Sequence, residues 1–334
     1  MQSIWSNVKA SAAPAPAGMK VLATSGTQVH DLNYYLKGAL AGGLCCGVTH
    51  GALCPVDVVK TRIQLDSVKY NRGLIGGFKQ IIAEEGAGAL ASGLGPTVFG
   101  YFIQGWFKFG GVEFFKINFA ESMEPQKAWD MRQPIYLLSA AMAEFIADIF
   151  LCPLEATRIK LVKDPSFATS MPDAFKKIVA NEGFMTGFYS GFGPILFKQI
   201  PYTMAKFSVQ GATAEAIYEK LATSPDQCSD GKNISISLAS GVVAGVAAAI
   251  ISHPADTLLS KVNVPGAGGE GGIVTRLGRI AGEIGFVNLA TTGLAPRCVM
   301  IGSLTAFQFG IFDTVMGALG ASKYHFHNPA DAHH

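Results

Sequence analysis

Three long apolar runs rich in glycine and alanine recur along the chain, and each ends at a proline. They cover about residues 36–54, 135–152 and 234–252, and the prolines are Pro55, Pro153 and Pro254. Such runs barely cross roughly 30 Å of hydrocarbon at about 1.5 Å per residue, so the amphipathic continuation beyond each proline supplies the remaining length. The pattern predicts three membrane-spanning helices with an internal proline.

A second set of elements follows each proline. Amphipathic segments of about 11 residues, too short to span, are predicted to lie on the membrane surface at 75–85, 172–182 and 273–283. Glycine-rich turns then lead to prolines that begin second spanning helices, near 96–116, 194–220 and 296–319. Six spans in three helix pairs result, with both chain termini on one side.

The three internal prolines lie 98 and 101 residues apart, which predicts three repeats. The repeats cover residues 32–125, 126–227 and 228–320, between tails at 1–31 and 321–334. The first tail lacks Asp and Glu up to His30, and it is either an organelle-targeting segment or a disordered tail. In the second tail, His325 is expected to be solvated. The predicted fold class is an all-α membrane protein with pseudo-threefold symmetry.

Glycines spaced four residues apart predict close packing between the spans. Gly38, Gly42, Gly43 and Gly47 lie in the first span, and Gly241 and Gly245 lie in the fifth. This spacing lets helix backbones approach each other in a membrane, although it also arises by chance in glycine-rich helices.

Composition supports the membrane assignment. Apolar residues make up 49% and charged residues 15% of the chain, and the mean hydropathy is +0.31. Soluble domains average roughly 25% charged residues. The net charge of +2, without a dense basic run, argues against a nucleic-acid binder. The six cysteines show no Cys-x-x-Cys spacing and are expected to be free thiols, and no motif predicts an enzyme or a cofactor.

Each internal proline begins a motif of the form Pro-x-[Asp/Glu]-x-x-[Lys/Arg]-x-[Lys/Arg], and the third copy is the weakest. With the glycine-rich turn and second span after each copy, residues 32–320 resemble the mitochondrial carrier family. The stretches 47–60, 100–110, 197–207 and 254–257 look like the members that carry phosphate. The resemblance implies a six-helix carrier of the mitochondrial inner membrane that works as a monomer among membrane lipids, with cardiolipin a candidate partner. It also implies transport of inorganic phosphate with a proton, or in exchange for hydroxide, by alternating access.

The motif charges predict a gate at the matrix end. Asp57, Glu155 and Asp256 lie two residues after the prolines, and three residues further on lie Lys60, Arg158 and Leu259. If the helices ring a common axis, each acid can pair with a base on a neighbouring odd-numbered span, because an unpaired charge at membrane depth is costly. Leu259 breaks the third pair, so about two ion pairs are expected, with Gln64 placed to brace them. The alternative is that these charges only mark helix ends on the basic side of the membrane.

A second gate is expected at the opposite, cytoplasmic end. Glu113 and Lys116 fit the family's [Phe/Tyr]-[Asp/Glu]-x-x-[Lys/Arg] pattern apart from Val112, whereas Asp313 has Met316 at the basic position. At most one ion pair is therefore expected there, which predicts weak closure of this end.

Positions that break the repeat indicate where an asymmetric solute binds, since structural residues recur in every copy. Counted from the glycine-rich turns, the equivalent triplets of the second spans are Gly100, Lys198 and Met300; Gln104, Tyr202 and Leu304; and Lys108, Lys206 and Gln308. Several lysines on one cavity suit a tetrahedral dianion. The candidate binding residues are Gln104, Lys108, Lys198, Tyr202, Lys206, Gln308 and Arg297. Two alternatives stay open: the lysines snorkel to the interface, or Arg297 contacts a lipid headgroup or a gate.

The first spans of the repeats also break the symmetry, with ionisable groups. Five residues before the prolines lie His50, Asp148 and Ala249, and nine residues before them lie Cys46, Glu144 and Gly245. Burial disfavours the charged forms of such groups, so proton coupling is predicted for His50, Glu144 and Asp148. For Asp148 the alternative is a helix-packing contact with Thr49.

Other functions stay open from the sequence. Cys46, His50 and Cys54 are spaced four residues apart, on roughly one helix face, and such ligands suit Cu(I). A buried cysteine also serves as a small apolar side chain. A carrier of another small anion, such as a dicarboxylate, and a membrane-bound helical scaffold are the remaining alternatives.

Overall fold

The computed structural model describes residues 29–65, 68–164, 166–262, 269–270, 273–326 and 328, and none of these lies in a strand. The described part forms twelve α-helices, numbered in chain order: α1 Leu32–Leu65, α2 Gly73–Glu85, α3 Leu94–Glu121, α4 Pro125–Asp130, α5 Arg132–Lys163, α6 Met171–Glu182, α7 Phe184–Tyr189, α8 Phe192–Lys220, α9 Asp230–Val262, α10 Ile273–Ile284, α11 Phe286–Thr291 and α12 Leu294–Ala318. The prediction for tail 1–28 lies outside the described residues.

The six long helices form a closed ring. Each packs against the next in the order α1, α3, α5, α8, α9 and α12, and α12 packs back against α1. The helices α2, α6 and α10 connect the members of each pair at one end of the ring, which we call the short-helix end. The described residues next to the outer ends of α1 and α12, 29–31 and 319–326, lie at the other, which we call the termini end. The predicted six spans in three pairs are confirmed.

Hydropathy alone identifies fewer spans than the ring contains. Four stretches of the described chain are long and apolar enough to cross a membrane: Leu32–Ile63, Arg132–Lys163, Asp230–Leu259 and Val287–Ala318. The helices α3 and α8 are 28 and 29 residues long, which is enough for a bilayer at about 1.5 Å per residue. They fall short in apolar composition because they carry buried polar side chains, among them Lys108, Lys116 and Lys206.

The motif prolines lie inside continuous helices. A proline leaves the carbonyl four residues before it without its helical donor, and that carbonyl needs another partner at membrane depth. For Pro153 this carbonyl belongs to Ile149, and the hydroxyl of Tyr189 in α7 donates to it over 3.0 Å. The short helix therefore compensates for the hydrogen bond that the proline removes.

Glycine contacts explain how the helices of a pair pack so closely. A Cβ atom at Gly42 would overlap the carbonyl oxygen of Gly105 in α3, and one at Gly245 would lie 2.7 Å from the Cα of Gly302 in α12. Gly43, Gly47 and Gly241 have similarly close neighbours, so the predicted packing is confirmed at these positions. Gly38 differs, because its nearest neighbour is the Cγ of Glu113 at 4.0 Å.

Ion pairs attach two of the short helices to the spans that precede them. Arg62 near the end of α1 binds both carboxylate oxygens of Glu85, at 2.7 and 3.0 Å, where α2 ends. Lys160 of α5 binds one carboxylate oxygen of Glu182 at the end of α6. Both bases lie seven residues after their motif proline, so these tethers repeat the symmetry of the chain.

Candidate functional site

A cavity of about 160 Å³ lies inside the ring and extends from the short-helix end toward the middle. That volume is comparable to the roughly 150 Å³ cavity that accommodates benzene in another protein, so a small solute fits. The charged lining is predominantly basic. It consists of Lys60, Lys108, Lys198, Lys206, Arg297, Asp57 and Asp256. Five basic and two acidic side chains give the cavity a positive potential that favours an anion.

Lys206 forms the floor of the cavity and is only 1% exposed. Its ammonium hydrogen-bonds the amide oxygen of Gln308. It also lies 4.8, 5.6 and 5.3 Å from the ring centres of Phe109, Phe207 and Phe309. Cation–π contacts of this kind stabilise a charge that has left water.

The three phenylalanines form a ring of their own on the termini side of Lys206. Their centroids are 5.0 to 5.5 Å apart in edge-to-face contacts, and Phe312 stacks on Phe109. The sequence analysis missed this Phe ring, which we define as Phe109, Phe207 and Phe309. The signal was available, because all three lie 16 residues after the turn glycines Gly93, Gly191 and Gly293.

Glu144 is the fully buried centre of a polar cluster behind the cavity wall. Its carboxylate lies 2.9 Å from the Lys108 ammonium, and it accepts hydrogen bonds from Gln104 at 3.0 Å and from Thr203 at 2.9 Å. Lys108 and Gln104 line the cavity, whereas Glu144 does not. A change of charge on Glu144 therefore reaches the cavity through Lys108.

Asp148 joins the same cluster rather than pairing with Thr49. One of its oxygens accepts a hydrogen bond from Gln104 at 3.4 Å, and the other is buried without a hydrogen-bond partner. The Thr49 hydroxyl donates instead to the carbonyl of Cys45 at 2.7 Å and faces Gln308 at 3.3 Å. The alternative contact between Asp148 and Thr49 is therefore wrong.

His50 lines the cavity wall and stacks on Tyr101, with ring centroids 3.6 Å apart and planes inclined by 3°. No hydrogen bond joins it to Glu144 or Asp148 in the described structure. Tyr101 was missed by the sequence analysis. It follows Gly93 by eight residues, where the other repeats hold Gln199 and Ile301, so it too breaks the symmetry.

The mouth of the cavity holds the charges of the proline motifs. Arg158 lies 3.5 Å from Asp57 across the helix interface and 2.9 Å from Glu155 on its own helix. Because Leu259 offers no base on the neighbouring span, Glu155 forms its ion pair with Arg158 on its own helix. The predicted pair between two odd-numbered spans is thus present once.

Asp256 does not pair with a motif base, which corrects the prediction. It binds Arg297 of α12 and lies 3.8 Å from Lys198 of α8, because both of these bases reach the mouth from the second spans. Lys60 lines the cavity with no ion pair to a described residue. The side chain of Gln64 lies outside the described residues. Lys198, Tyr202 and Arg297 all line the cavity, as does Gln308.

The termini end is closed more fully than predicted. Glu113 binds Lys116 within α3 and accepts a hydrogen bond from the Tyr34 hydroxyl at 2.9 Å. Asp313 accepts a hydrogen bond from the hydroxyl of Ser237 and lies 3.8 Å from Lys323. Lys323 was not among the residues expected to pair at this end. Two ion pairs therefore lie at this end, where at most one was expected.

His325, expected to be solvated, is half-buried with its ring 5.6 Å from that of Tyr218. The residues after α12 thus pack onto the bundle.

The residues proposed for copper are not brought together. Cys46 and His50 line the cavity, whereas Cys54 packs against Val58 and Val162. The described residues contain no group of three His, Cys, Asp or Glu side chains placed to hold a metal ion.

Comparison with known proteins matches the chain to the family model "Mitochondrial carrier protein" three times, at residues 32–123, 131–221 and 230–323. "Mitochondrial substrate carrier family protein N" of Dictyostelium discoideum is 48% identical over 86% of this chain and 95% of its own length. "Phosphate carrier protein, mitochondrial" of Caenorhabditis elegans is 43% identical over 87% and 83%. "Probable mitochondrial phosphate carrier protein" of Schizosaccharomyces pombe is 43% identical over 86% and 91%.

Proposed function

The chain belongs to the mitochondrial carrier family, and on this premise we propose that it carries inorganic phosphate across the mitochondrial inner membrane by alternating access. The observation that carries the proposal is the central cavity with five basic and two acidic side chains. Two relatives that are 43% identical bear the name of phosphate carriers, which supports the same solute. We take the short-helix end to face the matrix, as the resemblance implies.

Phosphate would bind in two stages along α8. Lys198 and Arg297 at the mouth are held by Asp256, so an incoming anion competes with one carboxylate for two bases. Lys206 lies eight residues further along α8, roughly 12 Å deeper at about 1.5 Å per residue. There Gln308, Gln104 and Tyr202 supply further donors. Phosphate offers several acceptor oxygens, which suits such a cluster of donors.

Proton coupling follows from the contact between Lys108 and Glu144. When Glu144 is ionised, it neutralises Lys108 at 2.9 Å and weakens its attraction for phosphate. When Glu144 takes up a proton, Lys108 loses its counterion and becomes available to the anion. One proton then favours one bound phosphate, which amounts to symport and is equivalent in net charge to exchange for hydroxide.

His50 and Asp148 are assigned supporting positions in this scheme. His50 lies in the wall between the mouth and Gln104, where an imidazole can pass protons inward from solvent. Asp148 shares Gln104 with Glu144 and has one unpaired buried oxygen, so it is a second place for the proton. The cavity is enclosed by the six long helices of one chain, which supports a monomer as the working unit.

The test is uptake by proteoliposomes containing the purified full chain. We expect radiolabelled phosphate to enter faster when the pH gradient drives protons in the same direction, with arsenate competing and dicarboxylates and Cu(I) carried poorly. Phosphate uptake that ignores the pH gradient contradicts the coupling. Preferred uptake of a dicarboxylate or Cu(I) contradicts the substrate.

A further inference from the structure

The residues that follow α12 lie across the termini end and touch several helices of the ring. The Tyr34 hydroxyl of α1, which donates to Glu113, lies 3.2 Å from the carbonyl oxygen of Ser322. Phe326 is 5% exposed and packs with Ala128 and Tyr136, at the junction of α3 and α5. This segment, Ala321–Phe326, therefore spans the ring although it lies beyond the last long helix.

The segment binds both members of the ion pair in α3. The ammonium of Lys116 donates to the carbonyl of Tyr324 at 2.9 Å, and the amide of Tyr324 donates to the carboxylate of Glu113 at 3.1 Å. Lys116 also faces the ring of Tyr324 at 5.5 Å. The backbone N–H and C=O of one residue thus hydrogen-bond both of these buried charges.

Lys323 supplies the base that the third repeat lacks. Asp313 is the acid of that repeat, and Met316 stands where a base would pair with an acid of the ring. The Lys323 ammonium lies 3.8 Å from Asp313, and its side chain is only 8% exposed. A base from the segment after α12, rather than from one of the second spans, therefore neutralises this acid.

We propose that Ala321–Phe326 is a latch of the termini end, and that Lys323 is a gate residue whose release accompanies opening toward the intermembrane space. The proposal rests on the alternating access proposed above, but not on the identity of the solute. At the positions three residues after the acids of the second spans, the helices offer one base, Lys116, because Thr213 follows Gln210 in the second repeat and Met316 stands in the third. Lys323 of the latch supplies a second base.

The contact of Lys323 is suited to release. Its ammonium makes no hydrogen bond, so the ion pair with Asp313 is longer and weaker than the bonded pair of Glu113 and Lys116. A cavity of about 200 Å³, lined by both Lys323 and Asp313, lies beside the segment between α8, α9 and α12. Incomplete packing on one side lowers the cost of local opening.

The test measures opening of the termini end without any solute. Met316, which is 1% exposed, is replaced by cysteine as a reporter in a chain carrying Cys228→Ser and Cys298→Ser, the two cysteines that are not buried. A membrane-impermeant thiol reagent is added from the termini side of proteoliposomes. Lys323→Met should be labelled about fivefold to tenfold faster than the parent, because loss of a part-buried ion pair shifts the population toward the open form.

Four further variants decide whether charge or mere packing is responsible. Lys323→Arg should keep the labelling rate of the parent. Lys323→Asp should label fast, and combining it with Asp313→Lys should restore slow labelling. Lys127→Met, at an exposed lysine of the same end, is the matched control and should change nothing. Equal rates for Lys323→Met and Lys127→Met, or no restoration by the charge exchange, overturn the latch. Because labelling needs no substrate, this result is independent of whether phosphate is the solute.

Discussion

The two ends of the bundle are closed by different chemistry. At the short-helix end, charged side chains surround an accessible cavity, and Asp57, Asp256 and Lys198 remain between 21% and 36% exposed in their side chains. At the termini end, the Phe ring and the segment Ala321–Phe326 leave the charges of Glu113 and Lys116 at most 5% exposed. The short-helix end is a partly exposed network of charges, and the termini end is a buried seal of aromatic side chains and paired charges.

This difference teaches where the barrier to opening lies. Exposed ion pairs contribute roughly 0.2–1 kcal/mol each and weaken with salt. Burial of an aromatic side chain contributes more and does not depend on salt. Since only the charged end is partly open, the structure is a carrier accessible from the short-helix end. Opening the other end requires separating the Phe ring, and this step should dominate the cycle.

The largest effect is expected at the Phe ring of the termini end. Phe309→Ala removes a fully buried ring and should lower the free energy of unfolding by about 3–5 kcal/mol. It should also let solutes leak through the bundle. Thermal unfolding and passive uptake of an uncoupled solute measure the two effects. Phe307→Ala is the matched control, because Phe307 lies on the same helix but is 59% exposed. Equal behaviour of the two variants would mean that the Phe ring is not a seal.

The next effect is expected at the floor of the cavity. Lys206→Met keeps the length of the side chain but removes the charge beneath the Phe ring. Phosphate uptake should fall about a hundredfold, since a buried charge-assisted contact contributes roughly 1.5–3 kcal/mol. Initial uptake rates in proteoliposomes provide the measurement, with Lys220→Met, exposed on the same helix, as the control. Normal uptake by Lys206→Met would remove this lysine from the binding site.

Coupling at the cavity wall should respond more modestly. Glu144→Gln mimics the protonated carboxyl and frees Lys108 permanently, so uptake should fall about tenfold and lose its acceleration by a pH gradient. Phosphate exchange at equal pH on both sides should suffer less than net uptake. Glu219→Gln, at an exposed acid, is the control. Persistence of the pH response in Glu144→Gln would place the coupling proton elsewhere.

The smallest effect is expected at the short-helix end. Asp57→Asn removes the one motif pair that joins two odd-numbered spans, at 3.5 Å from Arg158. Its loss should alter uptake only about two- to fivefold, and the difference from the parent should shrink at high salt. Uptake measured over a range of salt concentrations tests this, with the exposed Glu283→Gln as the control. An effect as large as that of Phe309→Ala would erase the proposed contrast between the ends.

Much of the architecture could be predicted from the sequence, because the period of the prolines fixes equivalent positions without any coordinates. The lysines of the second spans therefore line one cavity, as the repeat positions predicted, whereas Glu144 and Asp148 lie behind its wall. The pairing of Asp256 could not be predicted, since motif spacing says nothing about how far Arg297 and Lys198 reach.

The remaining misses have two different causes. The Phe ring obeys the repeat fully, and a search limited to positions that break the symmetry passes over it. Lys323 lies beyond α12, where the first two repeats offered no equivalent position to compare, so no period could assign it a partner. Its role depends on the path of the chain after α12, which only the folded structure reveals.

The ion pairs that attach α2 to α1 and α6 to α5 affect how the helices of this protein move. Because Arg62 binds Glu85 and Lys160 binds Glu182, we expect α1 with α2, and α5 with α6, to move together. Tilting of α1 or α5 would then move the attached short helix sideways through the lipid headgroups. The viscosity of that layer therefore opposes the motion, and we expect turnover to depend on the stiffness of the surrounding membrane as well as on the gates.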